Sequence, residues 1–268
     1  MKPIVSTILI LSLLVPSVFG HEYWLEPESF FLKPGGRSDI RLFLGEGLQV
    51  EEEMPYRSSK TSIFRLHSFD GTFDLARDMK DEAKPLFSFS AQKSGTYLLA
   101  MERNWSHITL EPEKFDEYLR EDGMEYIIAE REKLGEATKK GSERYSRFIK
   151  ALIQVGGKRD KTFLQRTGMR FEIVPQANPY SLKVEDELSV QVLFEGKPLA
   201  DKVLFADNRD GESIGKQRVS TNVDGIARVK LDRKGVWLIR LVFMQRCTKN
   251  CEGADWESFW GALSFGLR

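Results

Sequence analysis

Three histidines are the scarce reactive side chains of this 268-residue sequence: His21, His67 and His107. His21 has the most suggestive setting. Residues 1–20 carry Lys2, an apolar run from Ile4 to Val15, a break at Pro16, and then Val18-Phe19-Gly20. That is the pattern of a secretory leader with a cut after Gly20. The run is too short for a membrane-spanning helix of ~20 residues. Cleavage there makes His21 the first residue of the mature chain. Its α-amine and ring Nδ1 can then close on one metal ion. A second imidazole completes a T-shaped site suited to Cu(II) or Ni(II). The plain alternative is a cut one or two residues away, with His21 only the start of a strand.

A site built from imidazoles must draw its further ligand from His107 or His67, since no other histidine exists. Tyr23, Glu22 and Glu102 are candidates for axial or supporting groups. Cys247 and Cys251 form an even pair, which in an exported protein reads as a disulfide. Such a short loop gains roughly 2 kcal/mol on the chain-entropy model. A thiol metal site is the other reading of the pair, though no histidine lies near it in sequence. The familiar enzyme signatures are missing: no Gly-x-Ser-x-Gly, no His-Glu-x-x-His, and no Walker or dinucleotide glycine pattern. The Glu51-Glu52-Glu53 run is most simply a solvated loop. The aromatics near the C-terminal end read as core or as a sugar platform.

Composition narrows the partners. Lys plus Arg and Asp plus Glu number 40 each, so removing Lys2 leaves a net charge of −1. Such a balance provides no pull toward nucleic acid or an anionic membrane. After the leader no segment reaches 18 consecutive apolar residues, so no membrane insertion is expected after cleavage.

Strands and turns must position these groups. Ile40, Leu42 and Leu44 alternate with polar neighbours, as do Phe64 and Leu66 against Arg65 and His67. Asp70-Gly71 is a hairpin turn, and 86–91, 95–103 and 105–110 continue the pattern. The texture changes at Pro112, which sits in the first turn of an expected helix carrying Phe115, Tyr118 and Leu119 and ending at Gly123. Residues 124–140 are charged and read as helix. Tyr145, Phe148, Ile149, Leu152 and Ile153 then form a stripe at helical period. From Met169 onward strands return: 171–175, 188–194, 203–206, 226–231, 236–243, and an aromatic strand with Trp256, Phe259, Trp260, Leu263 and Phe265.

The residues His21-Glu22-Tyr23-Trp24-Leu25-Glu26-Pro27 directly after a leader resemble the opening of the DUF4198 family of exported bacterial proteins. Further matches in order are Ile108-Thr109-Leu110-Glu111-Pro112, Glu143-Arg144-Tyr145-Ser146-Arg147, Glu172-Ile173-Val174-Pro175, Gly196-Lys197-Pro198-Leu199 and Gly235-Val236-Trp237-Leu238-Ile239-Arg240. The resemblance covers nearly the whole mature chain. It implies export, β-sandwich domains and a link to nickel and cobalt uptake, with His21 the residue carried over as a ligand.

The expectation is a mainly β protein with two immunoglobulin-like β-sandwich domains and a helical insertion. The leader is 1–20, the first sandwich 21–111, the insertion 112–160 and the second sandwich 161–268. The expected function is periplasmic or secreted binding of a transition metal (Ni, Co or Cu) through His21, to sequester it or deliver it to a membrane transporter. A non-enzymatic module binding an envelope protein or glycan is the alternative. A copper oxygenase built on an N-terminal histidine brace is a third.

Overall fold

Gly and Asp-Gly turns punctuate this sequence, and between them it alternates apolar and polar residues. Elements are therefore short and extended. The computed structural model describes residues 21–268; the expected leader and its cut lie outside the described residues. The first part runs β1 (Glu22–Pro27), β2 (Phe31–Leu32), β3 (Arg37–Glu46), β4 (Gln49–Met54), β5 (Thr61–Ser68), β6 (Gly71–Asp74), β7 (Phe87–Ser90), β8 (Gly95–Arg103) and β9 (Ser106–Leu110). Two helices follow, α1 (Pro112–Glu121) and α2 (Glu125–Lys133), then the long strand β10 (Gly141–Val155). The rest is β11 (Phe171–Pro175), β12 (Glu187–Phe194), β13 (Lys197–Pro198), β14 (Val203–Asp210), β15 (Ser213–Ser220), β16 (Ile226–Lys230), β17 (Gly235–Arg246) and β18 (Trp256–Leu267). The protein is mainly β, as expected.

The strands form three sheets. A ten-stranded sheet has the order β15-β14-β17-β18-β10-β8-β5-β6, with β2 and β9 also paired to β10. One four-stranded sheet contains β1, β3, β4 and β7, and the other contains β11, β12, β13 and β16. The ten-stranded sheet draws strands from both sides of the expected boundary at residue 160, and β10 and β18 join the two parts as a parallel pair.

Side-chain alternation shows how the layers stack. On β8, Leu99 and Met101 pack with Trp24, Ile40 and Leu42 of the first small sheet. Leu98 and Ala100, between them, pack with Ile173, Val190 and Val192 of the second. The centre of the large sheet is thus covered on both faces. The helices cover a further part of the first face, where Phe115, Leu119 and Ile127 meet Val242, Met244 and Trp256. Gly141 leaves room for α1 against β10: a Cβ there would stand 2.2 Å from the Phe115 ring.

This layering corrects the expected helical insertion. Helix covers Pro112–Glu121 and Glu125–Lys133, but residues 142–154 belong to β10. The apparent helical stripe is the sum of two faces. Ile149 and Ile153 join one core and Phe148 and Leu152 the other. A strand buried on both sides has no polar face, so its apolar positions mimic a helical period. Glu51, Glu52 and Glu53 likewise lie not in a loop but on the exposed strand β4.

Candidate functional site

His21 stands at the entry of β1, which runs antiparallel to β3, pairing Glu22 with Gly45 and Tyr23 with Leu44. On its other side β3 pairs with β4, and the register slips between Leu44 and Gly45. Leu44 faces Glu52 and Gly45 faces Val50, so Glu51 is the extra residue of a β-bulge. Bulges re-aim side chains. Here the Glu51 carboxylate lies 3.2 Å from His21 Nδ1. Gly45 is required at the bulge, because a Cβ would come within 1.9 Å of the Gln49 carbonyl oxygen.

Behind His21 opens a cavity of about 200 Å³. β10 supplies Glu143, Tyr145 and Arg147, alternate residues that share one face of the strand. Trp260 of β18 pairs directly with Arg147 and so lies on that face. Ile108 and Leu110 come from β9, Tyr118 from α1, and Tyr23 and Leu44 from the small sheet. The Tyr118 and Trp260 rings stack in parallel with centroids 5.8 Å apart.

Glu143 is the buried acid of the cavity, with 1% of its surface exposed. Its Oε1 accepts hydrogen bonds from the Tyr118 hydroxyl at 3.2 Å and from the Ser258 hydroxyl. Trp260 Nε1 in turn donates to the Ser258 oxygen at 3.0 Å. Oε2 has no hydrogen-bond partner among the described residues. Burial pushes the Glu143 carboxyl up to about 7, against the opposing pull of the Ser258 and Tyr118 hydroxyls and the Arg147 charge.

Arg147 is held by rings. Its guanidinium lies 4.2 Å from the Tyr23 centroid, 4.8 Å from Tyr145 and 5.5 Å from Trp260. Arg103 takes a second position on Tyr23, at 5.2 Å. Arg147 Nη2 donates to the His21 carbonyl at 3.4 Å. Arg147 Nε and Arg103 Nη1 are buried without partners among the described residues. Burial lowers the Arg103 pKa, and the Arg147 charge adds to that effect.

Next to His21 in sequence, Glu22 joins a buried cluster in which Arg240 meets three acids: Glu22 at 2.6 Å, Asp207 at 2.7 Å and Asp122 at 3.3 Å. Burial raises Glu22 to about 7 and Asp122 to about 8, the Arg240 charge opposing both. Burial disfavours charge on Arg240 too, but Glu22, Asp207 and Asp122 outweigh it and hold the guanidinium protonated. Glu22 therefore anchors the residue next to His21 and faces away from any ligand role.

The other expected ligands lie elsewhere. His67 is on the opposite face of β5 from Phe64 and Leu66, is 4% exposed, and bonds Thr72 Oγ1 through Nδ1 at 2.9 Å. Its pKa is lowered by burial and then by the Lys150 charge. His107 is on the opposite face of β9 from Ile108 and Leu110, with its Nε2 3.8 Å from Glu252. Glu102, on β8, shares the face of Leu98 and Ala100. The three histidines are not brought together, and no cluster of three or more His, Cys, Asp or Glu side chains fit for a metal occurs among the described residues. Cys247 and Cys251 are a disulfide pair with Cα atoms 5.8 Å apart.

Glu51, Glu143 and Arg147 are the site residues that the sequence reading missed. Alternation along 143–147 was the available signal, hidden by the apparent helical stripe.

The sequence matches the model of a known family over residues 18–245, most of the chain. The chain belongs to the DUF4198 family. That family is described as a domain of unknown function. No curated protein matches the DUF4198 chain. Among solved structures it aligns with the three N-terminal domains of the bacteriophage RB49 Highly Immunogenic Outer Capsid protein, at 8% identity and a TM-score of 0.20. The alignment covers 91% of this chain but only 59% of that one, less than two thirds of its length. A likeness that weak carries no argument about either fold or function.

Proposed function

We propose that this DUF4198 protein is exported and binds one transition-metal ion, Ni, Co or Cu, at a mature N-terminal His21. The observation that carries the reading is the Glu51 carboxylate, placed by the β4 bulge 3.2 Å from His21 Nδ1. Once the leader is gone, the α-amine, Nδ1 and Glu51 offer two nitrogens and one oxygen, a donor set that suits these ions. His67 and His107, on other faces, are not part of this set. The protein then sequesters the ion in the periplasm or medium, or hands it to a membrane transporter. No described helix is long and apolar enough to cross a membrane. The packing of each small sheet on the large one further supports immunoglobulin-like sandwich character in both halves.

The test is calorimetric titration of the mature protein with Cu(II), Ni(II), Co(II) and Zn(II). The control carries one extra residue ahead of His21, which removes the amine–imidazole chelate. One equivalent should bind, the extension should abolish it, and Glu51→Ala should weaken it at least tenfold. Equal binding by the extended protein would overturn the site.

A further inference from the structure

We propose that the cavity behind His21 is a binding site for a small organic carboxylate with a planar apolar body and a hydroxyl or amine at its far end. The proposal goes beyond the metal reading and does not depend on it.

Arg147 supplies the first argument. Guanidinium carries five N–H donors in one plane. Three aromatic rings, Tyr23, Tyr145 and Trp260, occupy positions around it. Rings of this kind satisfy the positive charge through their π faces but leave the in-plane donors unused. Nη2 makes one long bond to a backbone carbonyl at 3.4 Å, and Nε has no partner among the described residues. Most arginines packed into this fold pair with an acid, as Arg144 does with Glu257 and Arg240 with Glu22. Arg147 and Arg103 share Tyr23 instead, two cations on one ring. A carboxylate offers two oxygens in one plane, which a guanidinium edge can bind through two parallel N–H donors.

Glu143 supplies the second. It is 1% exposed, lines the same cavity, and keeps Oε2 without a donor while Oε1 takes two. An unfilled buried acceptor is costly unless a partner reaches it. A hydroxyl or amine on the ligand fills it. Between these two polar groups the walls are Tyr118, Trp260, Leu44, Ile108 and Leu110, which suit a flat apolar body. At about 200 Å³ the space is smaller than the ~300–1,000 Å³ of drug-sized sites, so the ligand is small.

The experiment uses the mature protein in metal-free buffer at pH 8.5, where Glu143 is a carboxylate, titrated calorimetrically with four probes. 4-Hydroxybenzoate carries both end groups and benzoate lacks the hydroxyl. 4-Hydroxybenzyl alcohol lacks the charge, and 4-hydroxybenzylamine reverses it. The expected order is 4-hydroxybenzoate first, benzoate several-fold weaker, and the alcohol and amine at least tenfold weaker. Arg147→Gln should weaken both carboxylates at least tenfold. Glu143→Met, an apolar chain of similar length without the carboxylate oxygens, should erase the preference for the hydroxylated acid. Ranking the probes on the unaltered protein keeps the proposal testable if either variant fails to fold. Absence of carboxylate binding at millimolar probe, or equal binding of the alcohol or amine, would overturn it. Neither result bears on the metal titration, which is read separately with no carboxylate present.

Discussion

Glu143 is a carboxyl with almost no exposed surface, and its titration is written into the stability of the protein. Burial raises it to about 7, whereas an unfolded glutamate titrates near ~4.3. Between those values the folded protein keeps a proton that the unfolded chain has released. The stability this provides is complete below the unfolded value and fades as pH rises through the folded one. Thermal melts taken across that window should show a decline with rising pH that Glu143→Gln reduces. The effect is on the order of 3 kcal/mol over the whole window. An unchanged slope in the variant would mean that Glu143 is already ionised in the fold. Glu22 and Asp122 are shifted the same way, so only the difference between variant and parent isolates Glu143. At this scale the sequence was half legible. His21 stood out because the residues before it have the pattern of a leader and histidine is rare. Glu51 did not, because the bulge that turns it toward His21 depends on a register slip between two strands. His67 and His107 drew attention by type alone, and the opposite faces of their strands separate them from His21.

The element with the most at stake is β10, which has a sheet on each side and therefore buries charge as well as apolar surface. Lys150 is 2% exposed and pairs with Glu172 of β11 on the second face. Glu172 also accepts from the Thr167 and Gly168 amides at 2.9 and 3.0 Å. Removing one partner of such a pair strands the other charge in the interior. Lys150→Met should therefore destabilise the protein by about 3–5 kcal/mol in denaturant titration. Adding Glu172→Gln should recover part of the loss, since no lone buried charge then remains; a double variant no better than the single would argue against it. The same double burial explains the misreading of 142–154. Most strands were legible because one face meets water and alternation survives, as in β3 and β5. The helix from Pro112 was legible from its proline, its Phe115–Tyr118–Leu119 spacing and the positive-φ Gly123 that stops it. β15 has no buried residue, and Ile214 and Val219 alone left too little apolar alternation to read.

Across the whole molecule, the ten-stranded sheet unites what the sequence divides. Leu98, Ala100, Phe148 and Leu152, all before residue 160, share one core with Val190, Val192, Leu241 and Phe259 beyond it. Calorimetric unfolding should give a single transition. A fragment spanning 21–160 should aggregate, because one face of β8 and β10 would lose its cover. Two separated transitions, or a well-folded fragment, would show that the halves are independent. The mainly β character and the turn positions were visible in the sequence. The sharing of one sheet was not, because a parallel contact between β10 and β18 leaves no local mark.

The position of β18 in that sheet has a consequence for biogenesis. The last strand described lies in the middle, between β17 and β10, and its twelve residues are buried throughout. The edges of β10 and β17 that face it stay unpaired until residue 267 has been released. The sheet closes from its centre at the final moment, like an arch receiving its keystone. Such an order delays the pairing of the two halves of the sheet until the whole of β18 is present. It also leaves a message truncated before residue 256 without any native-like product, however much of the chain it encodes.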